Sequence, residues 1–93
     1  MDRQIIHDQA EKQFVLPLEN NHKAFIIYRI NGQQLLLTHA EVPYQLRGQG
    51  LGKELVEKTF ELIEKSGYTA TAQCSYISAV AKRSNYWSKI INH

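Results

Sequence analysis

The chain has 93 residues, of which 43% are hydrophobic and 22% charged, with a formal net charge of +2. That is enough chain for one core without a metal or disulfide staple, and too little charge for a nucleic-acid footprint. The single cysteine, Cys74, excludes an intrachain disulfide framework and a Cys-rich zinc site. No apolar run approaches membrane-spanning length, and Met1-Asp2-Arg3-Gln4 carries no secretory pattern. One domain over residues 1–93 is expected, monomeric, cytoplasmic, and without a metal site, nucleic-acid partner or membrane association.

The first half reads as strands. Gln4 to His7 is a short candidate, and Gln13 to Leu18 is a second, with Pro17 marking an edge or a stop. Asn20-Asn21 reads as a tight turn. Ala24 to Ile30 is the strongest strand, rich in β-branched and aromatic residues. Asn31-Gly32 then predicts a hairpin turn, since both residues tolerate φ > 0. Gln34 to Val42 returns antiparallel. Strict alternation puts Leu35, Leu37, His39 and Glu41 on one face, and Leu36, Thr38 and Ala40 on the other.

After Pro43 the period changes. Leu51, Leu55, Val56, Phe60 and Ile63 fall on one helical stripe. Glu54–Lys58 and Glu61–Lys65 are i,i+4 pairs in the favourable order, which marks a solvated face. Gly67 stands where a helix C-cap belongs. Tyr68 to Cys74 is a short strand, parallel to Gln34–Val42 because a helix-length crossover joins them. Tyr76 to Arg83 is a second helix with Ile77, Val80 and Ala81 inside. Tyr86, Trp87, Ile90 and Ile91 make an apolar tail that should dock on the body. The fold class is α+β: an antiparallel meander, a β-α-β crossover and a closing helix.

The segment Arg47-Gly48-Gln49-Gly50-Leu51-Gly52 joins strand to helix. The amides of a helix N-terminus have no intrahelical partner, and the helix dipole adds positive potential there. Glycines let an anion approach the backbone closely. The turn is therefore a candidate phosphate site. It is not a P-loop, because Arg47 and Glu54 stand where that motif needs glycine and Ser/Thr. It is not the dinucleotide fingerprint either, because Lys53 occupies the third glycine position. A strand-to-helix connection that needs φ > 0 would require one glycine, whereas three beside an arginine favour a phosphate.

The pattern [Arg/Gln]-x-x-Gly-x-[Gly/Ala], met here by Arg47 to Gly52 after a strand and opening a helix, resembles motif A of the GNAT N-acetyltransferase superfamily. Thr38-His39-Ala40-Glu41-Val42-Pro43 and Cys74 are similar to the minimal branch of that superfamily, whose single-domain members are little more than the acetyl-CoA-binding core. The resemblance covers about residues 13 to 86. It implies a GNAT-like fold, an acetyl-CoA cofactor and an unidentified amine acceptor. It also implies that the amides of Arg47, Gly48, Gln49, Gly50, Leu51 and Gly52 hold the pyrophosphate. A backbone amide of the preceding strand, near Val42, would polarise the thioester oxygen. Ala40, Ser75 and Val80 depart from the branch's usual Thr, Pro and aromatic residue. The tyrosine that larger members use to protonate the departing thiolate has no clear counterpart.

Acetyl transfer to an amine needs a neutral nucleophile, a polarised thioester carbonyl and a thiol leaving group. Histidine titrates near neutrality when unperturbed, so His39 is the candidate base. On its residues alone it reads more readily as a histidine packed in a sheet with a satisfied hydrogen bond; the resemblance reverses that, since in the branch the matching histidine faces the active site. Glu41 can orient His39, act as the base itself, or be a solvated carboxylate. Cys74 can accept the acetyl group first in a two-step reaction, or be a small apolar member of the pocket. Lys82 and Arg83 can meet the 3′-phosphate of CoA, or compensate a helix C-terminus. His7, His22 and His93 show no metal-ligand spacing. A CoA-binding module without catalysis, and a partner-binding domain with an exposed strand edge or aromatic tail, are the alternatives from other classes.

Overall fold

The computed structural model describes residues 3–93. Five strands form one sheet in sequence order: β1 (Ile6–Asp8), β2 (Gln13–Pro17), β3 (Lys23–Asn31), β4 (Gln34–Glu41) and β5 (Thr69–Ala72). The first four pair antiparallel and β5 lies parallel to β4. Helix α1 (Leu51–Ser66) is the crossover and α2 (Ser75–Arg83) follows β5. The five-stranded mixed α+β architecture agrees with the sequence reading, with strand ends shifted by one to two residues.

Asn20 and Asn21 adopt φ of +58° and +62°, as their turn requires. The β3–β4 hairpin is displaced by one residue from its expected position. Asn31 pairs with Gln34, so the loop is Gly32-Gln33. Positive φ falls on Gly32 (+63°) and not on Asn31 or Gln33, the pattern of a turn with glycine first. Gly67 ends α1 in the left-handed conformation at φ +81°, as a C-cap glycine does.

Every fully buried strand side chain lies on one face of the sheet. Phe14, Leu16, Ala24, Ile26, Tyr28, Leu35, Leu37, Ala70 and Ala72 meet Leu55, Val56, Phe60 and Ile63 of α1 and Ile77, Val80 and Ala81 of α2. The opposite face carries Ile6 and Ile27, which remain 54% and 39% exposed. The tail docks on the core as expected: Trp87 is buried against Phe60, ring centroids 5.4 Å apart. Asn92 then covers the outer edge of β5, accepting from the Ala72 amide (2.7 Å) and donating to the Ala70 carbonyl (2.9 Å).

The decisive irregularity is in β4. Ile27 and Tyr28 are adjacent in β3, yet their partners are His39 and Leu37. Thr38 is therefore an extra residue, a β-bulge that reverses the alternation after it. Its hydroxyl donates to the Ile27 carbonyl at 3.2 Å. Leu35 and Leu37 face the helices. Beyond the bulge Ala40, which pairs with the buried Ile26, and Val42 face them instead. The expectation that His39 and Glu41 share a face with Leu35 and Leu37 is thus corrected: one inserted residue moves both to the open face.

Two predictions concern stability. Thr59 is fully buried on α1 and its hydroxyl has no partner among the described residues. Thr59→Val should raise unfolding free energy by about 1 kcal/mol in urea titrations, because it removes an unsatisfied buried group of similar shape. His7 stacks on Phe14 (4.4 Å) and pairs through Nε2 with the Tyr28 hydroxyl at 2.6 Å. Burial pushes His7 below the usual histidine range, against the opposing pull of Asp8. The unfolded chain then takes up the proton first as pH falls. The contribution is present above the unfolded pKa of about 6.5 and is lost on acidification below it. Denaturation midpoints should fall between pH 7 and pH 5, and His7→Gln should flatten that decline.

Candidate active site

The site begins where β4 and β5 part. Their last paired residues are Leu37 and Ala72, and both the Gln73 and Cys74 amides then donate to the Leu37 carbonyl, at 2.9 and 3.1 Å. The chain turns at once into α2, with Cys74 as its N-cap residue. Strand β4 runs on to Glu41, with only β3 beside it among the described residues. Its free edge and the N-termini of α1 and α2 enclose a cleft of about 460 Å³. Ala40 and Val42 form one wall of the cleft, and Leu46, Leu51 and Leu55 supply apolar surface. Arg47, Gly48, Gly50 and Gly52 line the end at the glycine turn, and Tyr76 of α2 closes the opposite side.

The three glycines do different work. Gly48 and Gly50 have φ of +84° and +77°, a conformation that strains any side chain, and no atom stands within 4 Å of where their Cβ would lie. They shape the turn and leave open space beside it. Gly52 lies within the helix instead, and a Cβ there would stand 2.7 Å from the Tyr76 hydroxyl. It accommodates the tyrosine. The first intrahelical bond of α1 runs from the Glu54 amide to the Gly50 carbonyl at 3.1 Å. The amides of Leu51, Gly52 and Lys53 thus have no intrahelical acceptor, and a 16-residue helix dipole stands behind them.

On the open face, His39 and Glu41 are joined by a contact of 3.0 Å between Nε2 and Oε1. The other carboxylate oxygen, Oε2, lies 3.7 Å from the Arg47 guanidinium. Arg47 also donates through Nε to the Val42 carbonyl at 3.2 Å and lies over the Tyr44 ring, 5.6 Å from its centroid. The structure therefore brings together His39, Glu41, Val42, Arg47 and the glycine turn.

Other expected members lie elsewhere. Cys74 does not end a strand: it sits past the end of β5 at the α2 cap, half-buried and packed against the core, and it does not line the cleft. Gln49 is exposed and forms no part of the cleft wall. Arg83 lines a neighbouring groove of about 290 Å³ with Lys53, on the far side of Tyr76, whereas Lys82 lines neither cavity. Tyr76 escaped the sequence reading. Its position two residues after Cys74 carried no motif, and only helix packing brings its ring over α1.

The matches to known proteins fit this geometry. A family model described as GCN5-related N-acetyl-transferase matches residues 13–90. The chain belongs to that family. A GCN5-like protein from Staphylococcus aureus, solved in solution by NMR, superposes with a TM-score of 0.69 at 26% identity, covering 95% of this chain and 86% of that one. Among curated proteins, none matches at a significant level. As a GNAT-family domain, the chain places its glycine turn at the start of the crossover helix, and its sheet parts beside that turn.

The Gly52–Tyr76 contact is testable. Gly52→Ala should change stability by no more than about 1 kcal/mol, because the helix gain of alanine offsets displacement of a ring that is 44% exposed. Adding Tyr76→Ala removes the obstruction, and the alanine at 52 should then be net stabilising in urea denaturation.

Proposed function

We propose that this protein is an acetyl-CoA-dependent N-acetyltransferase acting on an amine, with the cofactor in the cleft and the amine approaching from the open face. The observation that carries the reading is the arrangement at the β4 edge. The glycine turn and apolar cleft lie on the helix side of the sheet, and the His39–Glu41 pair lies on the other side. The residues present suit the cofactor. Open space beside Gly48 and Gly50, unbonded amides at Leu51 to Lys53 and the Arg47 cation suit a pyrophosphate. Ala40, Val42, Leu46 and Leu55 suit an apolar arm.

Bound acetyl-CoA supplies the thioester, and the chain's own groups do the rest. A carboxylate only accepts hydrogen bonds, so Glu41 holds the His39 tautomer with its proton on Nε2. Nδ1 then carries the lone pair that takes the proton from the attacking amine. The free edge of β4 beyond Leu37 offers backbone amides, in the region of Val42, to the developing oxyanion. Cys74 caps α2 and does not line the cleft, which supports direct transfer with Cys74 as a packing residue. Arg83, with Lys53, offers charge to the ligand's outer phosphate; Lys82 compensates the end of α2.

Backbone NMR titration of CoA and acetyl-CoA should give saturable shifts at Arg47 to Gly52 and at Tyr76. Absence of shifts there at millimolar ligand would remove the cofactor reading. With a panel of primary amines, His39→Ala should lower turnover about 10²- to 10⁴-fold while CoA binding persists. Wild-type protein that binds CoA but acetylates no amine would favour a binding module. Cys74→Ala should keep turnover within about tenfold of wild type, and a fall of about 10² or more would support an acetyl-cysteine route.

A further inference from the structure

Arg47 belongs to two neighbourhoods at once. It lines the cleft at the glycine turn, on the helix side of the sheet. Its guanidinium also reaches Glu41 Oε2, whose partner oxygen holds His39 on the open side. Among the described residues this arginine is the side chain that links the cleft to the His39–Glu41 pair. Its contact with the carboxylate is loose, at 3.7 Å, and the two side chains are 57% and 42% exposed. An exposed pair of that kind is weak. A phosphate, by contrast, takes two parallel N–H donors from a guanidinium at shorter range.

We propose that Arg47 is exchanged between Glu41 and a phosphate of the ligand, so that filling the cleft releases the Glu41 carboxylate toward His39 and the incoming amine. The inference rests on the CoA reading above. Before the cofactor binds, the carboxylate is partly neutralised by Arg47. Afterwards its full charge faces His39 and attracts an ammonium to the open face, where Phe25 and Ile27 stand opposite Glu41 and His39 in β3. On the same face of β3, Lys23 lies over the Phe25 ring, 5.9 Å from its centroid. The exchange favours binding of the cofactor before the amine. By linkage, the hold of Glu41 on Arg47 must weaken ligand binding as much as the ligand weakens that hold.

The test is a double-mutant cycle on CoA binding, by calorimetry at fixed ionic strength, with wild type, Glu41→Gln, Arg47→Gln and the double variant. Glutamine at 41 keeps an oxygen for His39 and removes the charge that competes for Arg47. Glu41→Gln should bind CoA about two- to five-fold more tightly than wild type, and the gain should vanish in the Arg47→Gln background. Unchanged or weaker binding by Glu41→Gln would overturn the exchange. An equal gain in both backgrounds would overturn it too, since that is the long-range effect of one charge removed. Wild-type protein without saturable CoA binding would instead overturn the cofactor reading, and this inference with it.

Discussion

Thr38 is one residue more than the β3–β4 ladder can pair, and the site follows from how the sheet absorbs it. Without the bulge, His39 and Glu41 would continue the inward face of Leu35 and Leu37, and two polar side chains would point at the helices. With it, Ala40 and Val42 take the inward positions and keep the cleft wall apolar. The polar pair turns to the solvent side and keeps about half its surface in water, with side chains 54% and 42% exposed. A buried, unpaired histidine or carboxylate would have cost several kcal/mol by comparison.

The cleft exists because β4 outlasts β5. Strand β5 is four residues long and leads through Gln73 and Cys74 into α2. No strand lies beside Thr38 to Glu41 on that side among the described residues. The free edge and the N-terminus of α1 therefore meet at one place, a strand edge with unpaired backbone groups beside a helix end with unbonded amides. This junction is the place proposed above for the acyl donor. The rest of the molecule holds that junction still. α1 is pinned across the sheet by Leu55, Val56, Phe60 and Ile63, and its outer face is tied by Glu54 to Arg3 and Lys58. Hydrogen bonds from Arg3, with those from Lys58, hold the Glu54 carboxyl below the usual range against the cost of burial.

The His39–Glu41 pair and the cleft lie on opposite faces of the sheet, and Arg47 touches both. Its guanidinium touches Glu41 and the Val42 carbonyl while bordering the glycine turn. Tyr76 plays the corresponding part between the apolar cleft and the Lys53–Arg83 groove, since its ring lines both. Neither residue is buried, so both can move when a ligand arrives. The core behind them stays packed.

Local chemistry made most of the fold legible in the sequence. The apolar stripe from Leu51 to Ile63, the strand Ala24 to Ile30, the Asn20-Asn21 turn and the Gly67 cap each depend on neighbours a few residues away, and each stands where its pattern places it. The glycine turn was legible too, because Gly48 and Gly50 answer to backbone conformation. Three features depended on tertiary packing. The bulge at Thr38 is a mismatch between two strands, and period-2 alternation within one strand carries no trace of it. The place of Cys74 was set by where β5 stops pairing with β4. The role of Gly52 was set by a tyrosine 24 residues further along the sequence. Sequence by itself determined the elements, the family pattern and the candidate chemistry, since those arise from side chains near one another along the chain. Only the folded structure decided which face each group occupies, because that depends on contacts between strands and helices far apart in sequence.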